Sequence, residues 1–301
     1  MKVVIAGGTG FLGTALTRSL LADGHDVVVL SRRVGARSQA RVVTWVPDGD
    51  TGDWMREIDG ADAVVNLAGA SIAEKRWTPT RKTELLDSRY RSTLSLVSAI
   101  NAATRPPSVL ISGSAVGYYG VSETQTFDES APQGLDPLAS ICVNWEFQAT
   151  QVRPPHCRVV LIRSGIVLSA DGGLLKRLLF PFRLGLGGPI ASGHQILSWI
   201  HLDDWVGIAR WALDTPSVHG PVNATAPSAV SNATFTGALA RALGRPARIP
   251  VPGGLLKLQL GEMSNFVLIQ GQRVVPRKAL DAGYEFRYRE IDSALRALLP
   301  A

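Results

Sequence analysis

Cysteine is nearly absent: the 301 residues contain two, Cys142 and Cys157. They lie 15 positions apart, with no C-x-x-C and no His pair at metal spacing, so neither a disulfide framework nor a zinc site is expected. A reducing, cytoplasmic setting with no metal fits that scarcity. Long apolar runs are also missing. The most apolar later stretch, LLKRLLFPFRLGLGGPI, is interrupted by Lys176, Arg177 and Arg183, which excludes a membrane span. The opening MKVVIAGGTG reaches its glycines after four apolar residues, too soon for the core of a secretory signal. Repeats and low-complexity linkers are absent. The net charge is +6, yet the basic residues stand singly or in pairs (Arg32 and Arg33, Lys75 and Arg76, Arg81 and Lys82, Arg277 and Lys278) with no aromatic-studded stripe. That pattern favours small anionic ligands over nucleic acid.

The chain does have the means to fold: 46% hydrophobic and 19% charged residues describe a globular protein. Short β-branched runs recur at 3–6, 27–30, 63–68, 108–112 and 158–162, and continuous runs of this kind suit strands buried on both faces. Helical patterns lie between them. Leu12, Leu16 and Leu20 repeat before Asp23-Gly24, and Tyr90, Leu94, Val97 and Ile100 share a face before Arg105-Pro106-Pro107. The alternation predicts an α/β fold with a doubly wound parallel sheet. After about residue 165, Gly/Pro-rich connections read as loops and lids, with helices at 203–213 and 234–243. The segment from residue 250 reads as a compact helical unit whose last helix packs through Ile291, Leu295, Leu298 and Leu299. The expected layout is a nucleotide-binding domain over 1–245, with substrate-loop insertions at about 170–200, and a small, mainly helical C-terminal domain over 246–301.

GGTGFLG (7–13) follows the first strand and opens the first helix. Gly7, Gly10 and Gly13 would permit a tight turn, close approach of backbone to a pyrophosphate and close helix-on-strand packing, while the helix N-terminus faces the phosphates. This predicts a Rossmann-like dinucleotide site. About twenty residues on, where an acid would hold the ribose hydroxyls of NAD, stand Ser31, Arg32 and Arg33. A guanidinium fork suits a 2′-phosphate, so NADP(H) is the expected cofactor.

GGTGFLG, NLAGA (66–70), ISGSAVGYYG (111–120) and SWIHLDDW (198–205) together resemble the extended short-chain dehydrogenase/reductases. RWTPTRKTELLDSR (76–89), RSGIVLS (163–169), FPFRLGLGGPI (180–190) and the tail GEMSNFVLIQGQRVVPRKALDAGYEF resemble more narrowly the atypical "epimerase family protein" subgroup, family 39U, whose C-terminal domain has no assigned function. The resemblance covers nearly the whole chain. It implies that Thr9, Gly10, Phe11 and Leu12 line the pyrophosphate, Ser31, Arg32 and Arg33 surround the adenosine phosphate, and Leu67, Ala68 and Gly69 border the adenine-side ribose. Glu84, Arg89 and Val167 would complete the groove. Ordinary sheet packing stays open for Leu67, Ala68 and Val167, and an exposed surface for Glu84 and Arg89.

Reactions of that family use a Ser on the substrate oxygen, a Tyr that passes a proton and a Lys four residues beyond it. Ser114 supplies the first. Counting from Asp136-Pro137 places Leu138 and Cys142 where the Tyr and Lys belong, with Glu146 a turn further on. Leucine has no titratable proton, and a thiol cannot replace the fixed charge of an ammonium. Tyr118, or Tyr119 beside it, is the substitute proton carrier to examine. Cys142 itself reads as core packing. His201 reads as structural; His194, Arg163 and Arg183 are candidate ligand contacts. The expected function is an NADP(H)-binding oxidoreductase or epimerase-like protein acting on a small carbonyl or hydroxyl substrate, and the alternative is an NADP(H)-binding sensor with little turnover. Partners would be that substrate and, as one option, a second copy in a homodimer, with no membrane.

Overall fold

The computed structural model describes residues 1–72, 74–254, 258, 261, 264 and 269–299. All five β-branched runs are strands: β1 (Lys2–Ala6), β2 (Asp26–Ser31), β4 (Ala63–Asn66), β5 (Val109–Ala115) and β7 (Arg158–Ser164). They are joined by β3 (Arg41–Thr44) and β11 (Gly220–Ala224) in a seven-stranded sheet of order β11-β7-β5-β4-β1-β2-β3. Every pairing in it is parallel. Successive side chains of a strand face opposite ways, so each buried strand feeds two cores. Val3, Ile5, Val27, Val29, Val65, Ile111 and Ile162 meet α1 (Phe11–Ala22) and α5 (Leu202–Asp214) on one face. Val4, Ala6, Val28, Leu30, Val64, Leu110 and Leu161 meet α2 (Pro79–Ala102) and α3 (Pro137–Ala149) on the other.

The helix α2 starts where Thr78 accepts a hydrogen bond from the Arg81 amide at 3.1 Å and Pro79 occupies the first helical position. Its buried face differs from the one expected: Val97 and Ile100 are buried, but Tyr90 is 43% exposed, and the interior face carries Leu85, Arg89, Ser92 and Thr93 instead. Polar residues can face inward there because that face borders a groove and because Asn66 Nδ2 donates to Thr93 Oγ1 at 2.8 Å.

The stretch read as loops begins with a helix, α4 (Gly173–Arg183), which buries Leu175, Leu179 and Phe182. These pack with α6 (Asn232–Leu243) and the last helix, α8 (Ile291–Leu298), around Trp199, Phe235, Leu239, Ile291 and Leu295 as a third core. Leu299 is buried with the expected stripe, while Leu298 is half-buried. Three short pairs stitch this region together: β8 (Ile166–Leu168) with β10 (Trp199–His201), β9 (Ile196–Leu197) with β12 (Val230–Ser231), and β6 (Thr126–Phe127) with β13 (Arg273–Val274). A short helix, α7 (Arg277–Asp281), contributes Ala279 to the α1/α5 core. Part of the tail motif, at 262–263 and 265–268, lies outside the described residues.

Candidate functional site

The carboxyl ends of β1, β2 and β4 open into a groove of about 310 Å³. Gly7, Thr9 and Gly10 form its floor, Ser31, Arg32 and Arg33 one end, and Leu67, Ala68 and Gly69 the facing wall. Gly7 has φ +81°, and a Cβ there would stand 2.7 Å from the Leu67 carbonyl carbon, so only glycine lets the two loops approach this closely. Gly13, one turn into α1, is buried directly against the Gly7 carbonyl. Gly10 caps α1 without a side-chain hydrogen bond, which leaves the first-turn amides facing the groove for an anion.

Arg32 and Arg33 are exposed, and neither guanidinium makes a hydrogen bond or ion pair among the described residues; Ser31 is buried beneath them and accepts from the Arg33 amide at 3.2 Å. Behind Gly69 lies Arg89, buried, with Nη1 donating to the Leu85 carbonyl at 3.0 Å and Nε finding no partner among the described residues. Burial pushes its value down to about 10, and the guanidinium lies 5.0 Å from the Trp145 ring centroid. A glycine cradle that a Cβ would fill, an uncapped helix end, two free guanidiniums and a third with an orphaned nitrogen together fit a phosphorylated dinucleotide.

The remaining residues expected here take other places. The Phe11 ring packs over Gly172 and Gly173 at the start of α4, and Leu12 is half-buried against the α1/α5 core. Val167 is buried in that core, its carbonyl beside Gly173. Glu84 is exposed and pairs with Arg81 at 2.6 Å; Arg81, then Lys75 and Arg32, hold its carboxyl below the usual range, so its charge faces the Arg32 end of the groove. Sequence reading missed Trp45, Pro47, Ser88 and Ser92, which also line the groove. The hydroxyl pair Ser88 and Ser92, one turn apart on α2, was the available signal.

At the carboxyl end of β5 a buried polar chain begins. Ser114 donates to Glu146 Oε1 at 2.6 Å, and Arg163 grips both Glu146 oxygens at 2.8 Å. Arg163 Nη1 donates to the Tyr119 hydroxyl at 2.9 Å, and that hydroxyl donates to Asn223 Oδ1 at 2.7 Å. Burial alone would lower the Arg163 value, but the Glu146 hydrogen bonds and charge outweigh it and raise it. Tyr119 is pushed up to about 12, chiefly by burial, and stacks on Phe127. Tyr118 is half-buried with the Arg163 guanidinium 3.4 Å from its ring centroid, and its hydroxyl has no intramolecular partner among the described residues. Next to these residues lies a second pocket of about 220 Å³, walled in part by Ala115, Val116, Gly117 and Leu138.

Leu138, at the place counted for a tyrosine, thus lines this pocket, its side chain against Gly117. Cys142 is buried behind it, and burial pushes the thiol up to about 12, which keeps it protonated and inert. His201 is buried, caps α5 by accepting from the Asp203 amide at 3.0 Å and stacks on Tyr288. His194 and Arg183 are exposed, and Arg163 is committed to Glu146. No group of three or more His, Cys, Asp or Glu side chains with metal-binding geometry occurs among the described residues, nor is any of their helices long and apolar enough to cross a membrane.

Comparison with known proteins places this geometry in a family. The model of the "NAD dependent epimerase/dehydratase family" matches residues 3–224, and that of a "domain of unknown function" matches 251–298. Human epimerase family protein SDR39U1 is 40% identical over 302 residues, covering 99% of this chain and all of the relative. The epimerase family protein YfhF of Bacillus subtilis is 37% identical, covering 99% and 98%. A crystal structure of the human protein with NADPH superposes with a TM-score of 0.92 over 99% of both chains. A nucleoside-diphosphate sugar epimerase from Corynebacterium glutamicum is 30% identical with a TM-score of 0.80, over 99% of this chain and 58% of that one. With its Rossmann-like sheet, its glycine cradle and a human relative matched over its whole length, the chain belongs to the NAD dependent epimerase/dehydratase family.

Proposed function

We propose that the chain binds NADP(H) in the groove and transfers hydride to or from a small carbonyl or hydroxyl substrate seated in the second pocket. The observation that carries the cofactor is the pair Arg32 and Arg33 just past the end of β2, where a 2′-phosphate would lie, with no ion pair to either guanidinium among the described residues; the human relative crystallised with NADPH supports the choice. When bound, the cofactor supplies or accepts the hydride at its nicotinamide ring, and reduction of a carbonyl consumes one proton from the site or the solvent.

This chain's residues then handle the oxygen and the proton. Ser114, its own proton turned to Glu146, offers lone pairs that accept from a substrate hydroxyl. Tyr118, whose hydroxyl has no partner among the described residues and whose ring lies under the Arg163 guanidinium, carries the proton. Arg89, backing Gly69, neutralises cofactor charge from behind, and Glu84 stands at the rim. A second reading, an NADP(H)-binding sensor with little turnover, is favoured by Leu138 and Cys142 at the places of the proton relay.

Oxidation of NADPH with a panel of carbonyl compounds, followed by absorbance, separates the two. Turnover lost in Tyr118→Phe with NADPH binding intact supports the enzyme; tight binding with no oxidation by any compound sinks it. Removing two charge-assisted contacts of about 1.5–3 kcal/mol each, Arg32→Ala with Arg33→Ala should weaken NADPH by about a hundredfold or more and leave NADH within about twofold; equal weakening overturns the 2′-phosphate assignment.

A further inference from the structure

The segment matched only by a domain of unknown function contributes residues 270–272 to the second pocket. The rest of the described wall is largely apolar, with Ile72, Val116, Leu138, Ile166, Ile196 and Leu197, and none of the described lining residues is Lys, Arg, His, Asp or Glu. Its two serines are already engaged. Ser198 Oγ donates to the Gln272 carbonyl at 2.8 Å and accepts from the Val274 amide at 2.9 Å, and Ser164 Oγ accepts from Trp205 Nε1 at 2.9 Å. The side-chain amides of Gln270 and Gln272 make no hydrogen bond to the other described residues.

Those glutamines are held in place by more than chain continuity. Gly271 packs on the Ile196 backbone so closely that a Cβ would collide with the Ile196 carbonyl, and its own carbonyl accepts from the Ser122 amide at 3.0 Å. Immediately after them β13 pairs with β6, and Asn223 Nδ2 donates to the Val275 carbonyl at 2.9 Å. Asn223 is the last member of the chain that starts at Ser114, so the same buried network fixes both sides of the pocket. Gln270 is exposed and Gln272 half-buried, so a polar pair reachable from solvent stands on a fixed backbone beside an apolar wall.

We propose that Gln270 and Gln272 are the polar half of a binding site for a neutral, compact, mostly apolar carbonyl compound, whose oxygen accepts from a glutamine Nε2, and that the pocket rejects nucleoside-diphosphate sugars. The proposal rests on reading this pocket as the seat of the substrate. A diphosphate would meet no cation among the described wall residues, and the hydroxyls of a hexose would face isoleucine, leucine and valine unpaired. A flat aromatic ketone can accept from an amide nitrogen and lie against the apolar wall.

Isatin and UDP-glucose, titrated calorimetrically into the full chain saturated with NADP+, test this. Isatin is expected to bind and UDP-glucose neither to bind nor to displace it. Gln270→Leu with Gln272→Leu should weaken isatin at least tenfold while NADPH affinity stays within twofold, which also reports that the variant folds; Gln272→Glu, acceptor-only, should weaken isatin in the same direction. Absence of isatin binding, competition by UDP-glucose, or unchanged isatin affinity in either variant overturns the proposal. Isatin bound without any NADPH oxidation would instead sink the hydride-transfer reading and leave the pocket assignment standing.

Discussion

Arg163 and Glu146 are 4% and 7% exposed, so each charge depends on the other for the solvation it has lost. Arg163→Met strands the carboxylate and should cost about 3–5 kcal/mol in denaturant unfolding, whereas Arg163→Met combined with Glu146→Leu should recover most of that loss. A double variant as unstable as the single would show that packing, not charge pairing, dominates. A second buried titratable residue gives a pH dependence. Desolvation lowers the His201 value, against the raising charge of Asp203 and with the lowering charge of Arg287. The unfolded chain takes up a proton near its ordinary value of about 6.5, which the folded chain refuses, so this contribution is complete above that value and is lost as pH falls from there toward the depressed folded value. Thermal midpoints measured from pH 7.5 to 5.5 should therefore drop more for the native chain than for His201→Asn, whose amide can still cap α5; parallel profiles would remove His201 as the cause.

At the scale of the element, α3 explains why the family's proton relay cannot simply be restored. Asp136 accepts from the Leu138 and Ala139 amides and Pro137 opens the helix, so the register that puts Leu138 at the pocket and Cys142 behind it is fixed from the N-cap. Arg89 already supplies a cation beside Cys142. Cys142→Lys would bury an ammonium against that guanidinium and should destabilise the fold by about 3–5 kcal/mol with no gain in turnover; a stable, faster variant would contradict this. That register was legible in the sequence because caps and prolines are local signals. The glycine cradle and the β2 arginines were legible for the same reason. Other parts were not. The strand β3 is four residues with a half-buried pattern, and β11 begins Gly-Pro, so neither carries the continuous apolar run that marks a strand buried on both faces. The outward Tyr90 and inward Arg89 on α2 defeat an apolar-periodicity reading, because a groove-facing helix buries polar atoms. The chain from Ser114 to Asn223 joins residues more than a hundred positions apart, a pairing that no local pattern encodes.

At the scale of the molecule, the third core joins α4, α6 and α8, three helices drawn from distant parts of the chain. Leu295 is fully buried there, and Leu295→Ala should cost about 2–5 kcal/mol. Because that core underlies one side of the second pocket through Leu197, hydrogen exchange should quicken in α4 and α6 before it does in α1; uniform quickening would mean that the cores open together.

The same closure has a consequence for how the protein is made. Ala279 and Phe286 plug the core between the sheet and α1, and Val275 accepts the bond that finishes the Ser114 network. A ribosome that has released the first two hundred and fifty residues has therefore delivered a sheet whose covering layer and whose pocket both wait for the last fifty. Such long-range completion slows folding and leaves apolar surface open during synthesis. A nascent chain stalled at that length is the form in which this protein would most need a chaperone.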